Sequence, residues 1–473
     1  MNVLLIVYDN DSYISHFPIG LAYLASTLRN AGHVVSVYQQ DIYHYPDEHL
    51  TLYLDKNEFD VVVISVIGGY YQYRKLLSLS KAINSSRKRK EFSYLIGGHG
   101  PASAPSFFLQ KSGADFVGIG EGETTIVELL NAIRHGNKQE IQQVQGIAFL
   151  TKRKKYGGGG ELFVTPRRSL IQNIDEIPMP AYDLFDINHY SLMRMPNISH
   201  NARSMSILSG RGCTFRCNFC YRLDKGFRPR SSKSIIYEIN FLKDKYNISY
   251  IDFSDELLMS SVRRTVELCD AFIEAKLNIK WSCNGRLNYA DIPTLKKMKE
   301  AGCVFVNYGI ESLDNATLQV MHKGLTREMV IAGIENTLEV GISPGLNIIY
   351  GNINEPLPAI DDAVEFLLKY DDHAQLRTIR PVTPYPGCEL FDIAVQKGFL
   401  RDVEDFYENK HTNSDLLAVN FTQHSDEDIY NALYKANMRL IDRYIENTKC
   451  SMRKTCEKLY KNRDASFRGF RQT

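Results

Sequence analysis

No stretch of this chain is apolar for long enough to cross a bilayer: the longest run is a few residues around Val61–Val66, against the roughly 20 that a spanning helix needs. Neither sign of charge is in excess, since 56 Lys and Arg face 55 Asp and Glu for a net charge of +1. Such a balance offers no global field to a nucleic acid or an anionic membrane, and neither is expected as a partner. The first residues, Met1-Asn2-Val3-Leu4-Leu5-Ile6-Val7-Tyr8-Asp9, lack the basic region and small-residue cleavage site of a secretory signal and read as an immediate β-strand. A cytoplasmic location is therefore expected. Cysteine is absent before Cys213, and the nine present are odd in number and scattered, which argues against a disulfide framework and leaves metal binding or reduced core thiols. What remains is an ordinary globular composition, 44% hydrophobic and 23% charged over 473 residues, long enough for two to four domains.

The order of apolar patterns divides the chain. Residues 1–140 alternate short β-branched runs (Val3–Tyr8, Val34–Tyr38, Val61–Val66, Ser93–Ile96, Phe116–Ile119) with helical stretches, the signature of βαβ units in a doubly wound, Rossmann-like parallel sheet. In that architecture a ligand sits beyond the carboxyl ends of the strands. Those ends carry Pro18 and Gly20, Gly68-Gly69, Gly97-Gly98-His99-Gly100 and Gly118-Ile119-Gly120-Glu121-Gly122, and glycines clustered on one edge let backbone approach a ligand. Residues 141–203 form a linker with a hairpin, Gly146–Leu150 and Leu162–Val164, whose tip carries the basic tetrad at 152–155 and the glycines at 157–160. Residues 204–397 hold six βα units, too few for a complete eight-stranded barrel and suited to a partial (β/α)6 barrel. Residues 398–473 are helical and polar, with a basic excess at the end (Arg453 to Arg471) that reads as a solvated tail.

The most specific feature is Cys213-Thr214-Phe215-Arg216-Cys217-Asn218-Phe219-Cys220, a C-x3-C-x2-C array directly after the first strand of the second block. Three thiolates within eight residues call for a metal. Structural zinc takes four ligands, usually as two separated pairs, and no second pair stands nearby. Iron–sulfur clusters are held by Cys thiolates, and three of them leave one iron of a cubane open to another ligand.

With Phe219 in the aromatic position, this array resembles the radical S-adenosylmethionine (SAM) superfamily. The resemblance implies that Cys213, Cys217 and Cys220 hold a [4Fe–4S] cluster whose open iron is chelated by SAM, with a 5′-deoxyadenosyl radical formed on reduction by an external one-electron donor of flavodoxin or ferredoxin type. It also carries SAM-contacting roles to the strand ends: Phe219 in the loop, Asp255 first and Glu256 second after Phe253, Arg286 after Trp281-Ser282-Cys283-Asn284-Gly285, and Glu311 and Ser312 in Gly309-Ile310-Glu311-Ser312. The segments Ile348–Glu355 and Thr383–Leu390 continue the pattern, with Ile353 and Cys388 as departures.

A doubly wound domain ahead of such a barrel is similar to the cobalamin-binding class, which includes radical SAM methylases and the anaerobic magnesium-protoporphyrin ester cyclase. The resemblance implies a corrinoid contacted by Pro18, Gly20, Gly68, Gly98, His99, Gly120 and Glu121, and methylation of an unactivated carbon of a small molecule through methylcobalamin. Cyclisation, oxygenation or C–C bond formation, with or without a corrinoid, is the alternative, followed by a methylthiotransferase or an iron–sulfur module without turnover. The D-x-H-x-x-G motif that places a histidine on cobalt is broken: Ile14 stands two residues before His16, and Gly20 lies one step too far. No histidine ligation through that motif is expected. Cys269, Cys283 and Cys303 read as core thiols, while Cys450 and Cys456 fall about 240° apart on a helix.

Overall fold

A computed structural model describes the chain except residues 152–159, 199–200, 223–225, 374, 467–469 and 471–473. The basic tetrad at 152–155, the first glycines after it, and Arg468 and Arg471 therefore lie outside the described residues. Among the described residues there are fifteen strands: β1 Asn2–Val7, β2 Val34–Gln39, β3 Val61–Ser65, β4 Ser93–Gly97, β5 Phe116–Gly118, β6 Ile147–Leu150, β7 Leu162–Val164, β8 Ser204–Ile207, β9 Gly210–Cys213, β10 Gly226–Pro229, β11 Tyr250–Phe253, β12 Lys280–Gly285, β13 Cys303–Glu311, β14 Ser343–Tyr350 and β15 Arg380–Pro381.

The first sheet runs β2-β1-β3-β4-β5-β6-β7, parallel through β5. Val61-Val62-Val63-Ile64 is buried along its whole length, because a parallel strand with helices on both faces has no wet side. The strand order reverses at β1 and β3, and the crevice at such a switch point is where open α/β sheets bind ligands. One boundary needs correction. The hairpin expected within the linker, β6–β7, pairs antiparallel onto β5 and forms the edge of this sheet, so the sheet extends to Val164. Backbone pairing of an edge leaves no periodic signal that would have shown it.

The second sheet is parallel throughout in the order β8-β11-β12-β13-β14-β15, a curled half-barrel. Its sixth strand is shorter than the Arg377–Pro381 stretch suggested, because the Ile379 N–H and C=O pair with the Asn437 side chain and not with a strand. Cys269, Cys283 and Cys303 are buried in its core. An unforeseen element is the antiparallel ribbon of β9 and β10, which places Cys213 opposite Gly226 at the base of the cysteine loop. Gly212 has φ +88°, and a Cβ there would stand 2.3 Å from the Gly226 carbonyl oxygen, so the two strands meet only over glycine.

Linker residues seal one sheet to the other. Phe17, before the helix Ile19–Asn30, stacks on Tyr182 at 5.2 Å and meets Phe185 and Tyr190 edge-on, and these rings belong to the same apolar core as the half-barrel strands. Tyr182 in turn donates to Glu238 Oε1 at 2.5 Å, beneath the barrel's first helix. The C-terminal region ends in the helix Asp426–Tyr460, which buries Ile429, Leu433, Ala436 and Leu440 in one stripe against the helix Ala359–Tyr370. Its second half is exposed, Cys450 and Cys456 included. No described helix is long and apolar enough to cross a membrane.

Candidate active site

The cysteine loop is held from both sides. Asn218 N–H donates to Met321 O at 3.0 Å, Leu390 N–H donates to Asn218 O at 2.9 Å, and the Asn218 amide exchanges hydrogen bonds with that of Asn352. Cys217 is buried and Cys220 is exposed. The neighbouring Cys220 thiol, together with the charges of Lys323 and Arg286, brings the Cys217 thiol down to about 6, and Cys220 is in turn pushed upward. Among the described residues no three His, Cys, Asp or Glu groups converge on one ion position. The donor set nonetheless fits a [4Fe–4S] cluster: three thiols on one loop, with two cations beside a buried sulfur to balance thiolate charge.

The strand ends around this loop carry charges that are already paired. Arg286 lies over the Phe215 ring at 3.5 Å, directs Nη1 to Cys217 Sγ at 3.9 Å, and donates to Lys323 O. Lys323 Nζ sits 2.9 Å from Glu311 Oε1 and 5.8 Å from the Phe219 ring. Glu311 itself has φ +72°, an unusual conformation for a side-chain-bearing residue at a functional strand end. Ser312 donates to Glu355 Oε1 at 2.7 Å, and Glu355 Oε2 accepts from Gly351 N–H at 2.8 Å; burial pushes the Glu355 carboxyl up to about 7.

Asp255 and Glu256, both expected at SAM, face opposite ways. Burial alternates along Phe253-Ser254-Asp255-Glu256-Leu257, as it does along an extended chain, which turns Asp255 inward and Glu256 outward. Asp255 is fully buried, accepts from Ser209 N–H at 2.6 Å and from the Ser209 hydroxyl, and is raised to about 7 by desolvation. Glu256 accepts from Gly212 N–H at 3.1 Å and faces a cavity.

That cavity, about 390 Å³, lies where the carboxyl ends of β3, β4 and β5 face the half-barrel. Val63, Leu95, Ile126 and Leu129 form its apolar side, and Gly20, Gly98, His99, Gly120 and Glu121 stand on its wall with Gly210, Arg211 and Gly212 opposite. Of the corrinoid contacts expected from sequence, only Pro18 and Gly68 are not on this wall: Pro18 precedes the first helix, and Gly68 opens on a neighbouring cavity. His16 is exposed and does not line it. The residues fit a corrinoid on two counts. Gly20, Gly97 and Gly120 have no atom within 4 Å of where a Cβ would project, and Tyr23 presents a buried hydroxyl with no hydrogen-bond partner among the described residues. Burial shifts the Tyr23 hydroxyl upward and the His99 imidazole downward, so both are held neutral.

Glu121 has a second set of partners that the sequence did not suggest. Its carboxylate accepts from Arg211, Arg228 and Ile171 N–H, while Arg211 also reaches Glu123. Sequence separations of about 90 residues hide such a network from any motif.

Two family models match the chain: the B12 binding domain over residues 7–130 and the radical SAM superfamily over residues 207–367. An uncharacterized methyltransferase of Pyrococcus horikoshii is 28% identical over 412 residues, 85% of this chain and 84% of that protein. The anaerobic magnesium-protoporphyrin IX monomethyl ester cyclase of Rubrivivax gelatinosus is 23% identical over 397 residues, 82% of this chain and 68% of that one. Among solved structures, TsrM of Kitasatospora setae, a radical SAM methyltransferase with cobalamin and a [4Fe–4S] cluster bound, superposes with a TM-score of 0.66 at 18% identity, covering 84% of this chain and 75% of that one. The cofactors are accordingly a [4Fe–4S] cluster, SAM and cobalamin. The chain thus carries a match to the B12 binding domain ahead of a match to the radical SAM superfamily.

Proposed function

We propose that the protein is a cobalamin-dependent radical SAM methyltransferase that acts in the cytoplasm on an unactivated carbon of a small molecule, with an external one-electron donor of flavodoxin or ferredoxin type. The observation that carries this reading is the cavity on which the ligand edge of the first sheet and the strand ends of the half-barrel both open, beside the cysteine loop. When bound, the cluster and SAM supply hydrogen abstraction from carbon, and the corrinoid supplies methyl transfer.

The chain's own residues bind, orient and exclude water. Cys213, Cys217 and Cys220 are the cluster ligands, and Arg286 and Lys323 offset their charge. Glu256, unlike the inward-turned Asp255, has the position to accept from the ammonium group of SAM. Phe219, Glu311 and Ser312 shape the same edge through the Lys323 and Glu355 contacts. Gly20, Gly98, Gly120 and His99 bring backbone and a neutral ring to the corrinoid, Tyr23 offers it a hydroxyl, and Glu121 holds the two sheets at a set spacing through arginine. Fixed spacing in a dry site is what the protein adds to cofactor chemistry.

The test is anaerobic purification with cluster reconstitution, absorption with and without hydroxocobalamin, and mass spectrometry of SAM products. Retained corrinoid with both S-adenosylhomocysteine and 5′-deoxyadenosine supports methyl transfer. Corrinoid with 5′-deoxyadenosine alone favours a second reading, a ring-forming reaction of the kind named for the Rubrivivax relative. No corrinoid at all overturns the methyltransferase reading.

A further inference from the structure

A second, smaller cavity of about 290 Å³ shares His99 with the first. Its walls come from five separate parts of the chain: Gly68 after β3, His99 after β4, Tyr221 next to the cluster ligand Cys220, Tyr385 from the end of the half-barrel and Tyr407 from the C-terminal region. Among the described residues, no Asp, Glu, Lys or Arg lines it. Tyr221 is braced on both sides, its ring 5.1 Å from that of His99 and pressed against Gly387, where a Cβ would stand 2.3 Å away.

Tyr407 is the informative residue. It is 1% exposed, and its hydroxyl has no hydrogen-bond partner among the described residues. A buried hydroxyl left unpaired is costly, on the order of 1–3 kcal/mol, and is therefore rare without a reason. The hydroxyl stands beside Gly68 on the cavity wall, where a Cβ would lie 3.1 Å from it, so a side chain at 68 would close on the hydroxyl. The ring is carried on a π-helical turn, Phe406–Lys410, a rare local geometry that recurs at functional sites.

Building on the methyltransferase reading above, we propose that this cavity is the substrate subsite, and that it takes an uncharged, flat, unsaturated ring bearing a polar substituent hydrogen-bonded to Tyr407 Oη. Aromatic walls favour a flat ring by stacking and edge contact. An ionic group would be left unpaired there. The volume is at the low end of the roughly 300–1,000 Å³ typical of ligand pockets, so it accommodates part of a substrate, with the remainder reaching past His99 toward the cofactors.

The test is equilibrium binding of 2-naphthol and naphthalene to the full-length reconstituted protein, followed by ligand fluorescence. The expected result is that Tyr407→Phe weakens 2-naphthol about fivefold, the value of one neutral hydrogen bond, and leaves naphthalene unchanged. Ser414, exposed at the mouth and hydrogen-bonded to Tyr385, provides a variant that does not disturb the core: Ser414→Trp is expected to reduce binding of both probes at least tenfold. Binding of 2-naphthol that ignores both substitutions, or no binding of either probe to the wild type, overturns the assignment. Corrinoid content and SAM cleavage, read on the same wild-type preparation, keep the two ideas apart. Intact cofactor chemistry with no probe binding removes the subsite alone, and probe binding with the expected pattern but no corrinoid removes the methyltransferase reading alone.

Discussion

Arg211 reaches from β9, two residues before the first cluster cysteine, across to the glycine loop of the other sheet, with Nη1 2.9 Å from Glu121 Oε1 and Nη2 2.6 Å from Glu123 Oε1. Arg228 on the paired strand closes on Glu121 Oε2 at 2.9 Å. Because all four groups are largely buried, the network couples the corrinoid-facing loop to the cysteine-bearing ribbon. Arg211→Met leaves carboxylates short of a partner in a low-dielectric site and is expected to destabilise the protein by about 3 kcal/mol. Urea unfolding reads this, and gel filtration is expected to show corrinoid lost along with stability. An unchanged midpoint would remove the network's structural role.

Two adjacent glycines should behave differently. Gly98 has φ +94°, and a Cβ there would lie 2.2 Å from Val66 O, whereas Gly97 has nothing within 4 Å. Gly98→Ala is expected to cost about 1–3 kcal/mol of stability from backbone strain alone. Gly97→Ala is expected to leave the unfolding midpoint nearly unchanged while weakening corrinoid binding, since its methyl group enters the cavity wall. Thermal unfolding and hydroxocobalamin titration of both variants separate fold from ligand effects.

Asp255 predicts a pH dependence. Its carboxyl is raised to about 7 in the folded protein, against about 4 in an unfolded chain. Between those values the folded state binds more protons, so this group's contribution falls as pH rises from about 4 to about 7. Asp255→Asn removes that slope. The stability difference, variant minus wild type, is therefore expected to grow in the variant's favour by a few kcal/mol across that window, measured by denaturant unfolding at several pH values. A pH-independent difference would show that the buried carboxyl is ionised throughout.

Cysteine variants test the cluster assignment. Cys217→Ser is expected to abolish iron retention and the charge-transfer absorption of the cluster. Cys450→Ser, on the exposed half of the last helix, is expected to leave both intact. Iron lost equally from both would place a ligand on that helix.

Much of the architecture is legible in local pattern. The apolar run Val61–Val66 announces a strand buried on both faces, the stretch Val262–Glu274 repeats its buried residues at helical spacing, and the three cysteines lie close enough in sequence for their spacing to survive any tertiary arrangement. Wherever two distant segments had to meet, local pattern was silent. The β6–β7 hairpin joins the first sheet through edge pairing, and β9 finds β10 across the cysteine loop over a glycine contact. Which of Asp255 and Glu256 faces inward is a matter of register and not of residue type.

Cofactor chemistry is thus written in the sequence by itself, because thiol spacing, glycine-rich strand ends and βα alternation are short-range features that bind or fold in the same way wherever they occur. The tertiary structure alone decided what those parts do together. It set Arg211 against Glu121, opened both strand edges on one cavity, and brought Tyr407 opposite Gly68. The physical reason is that burial and partnership depend on where the chain returns in space, over separations of 90 residues for Arg211 and Glu121, at which no periodicity persists.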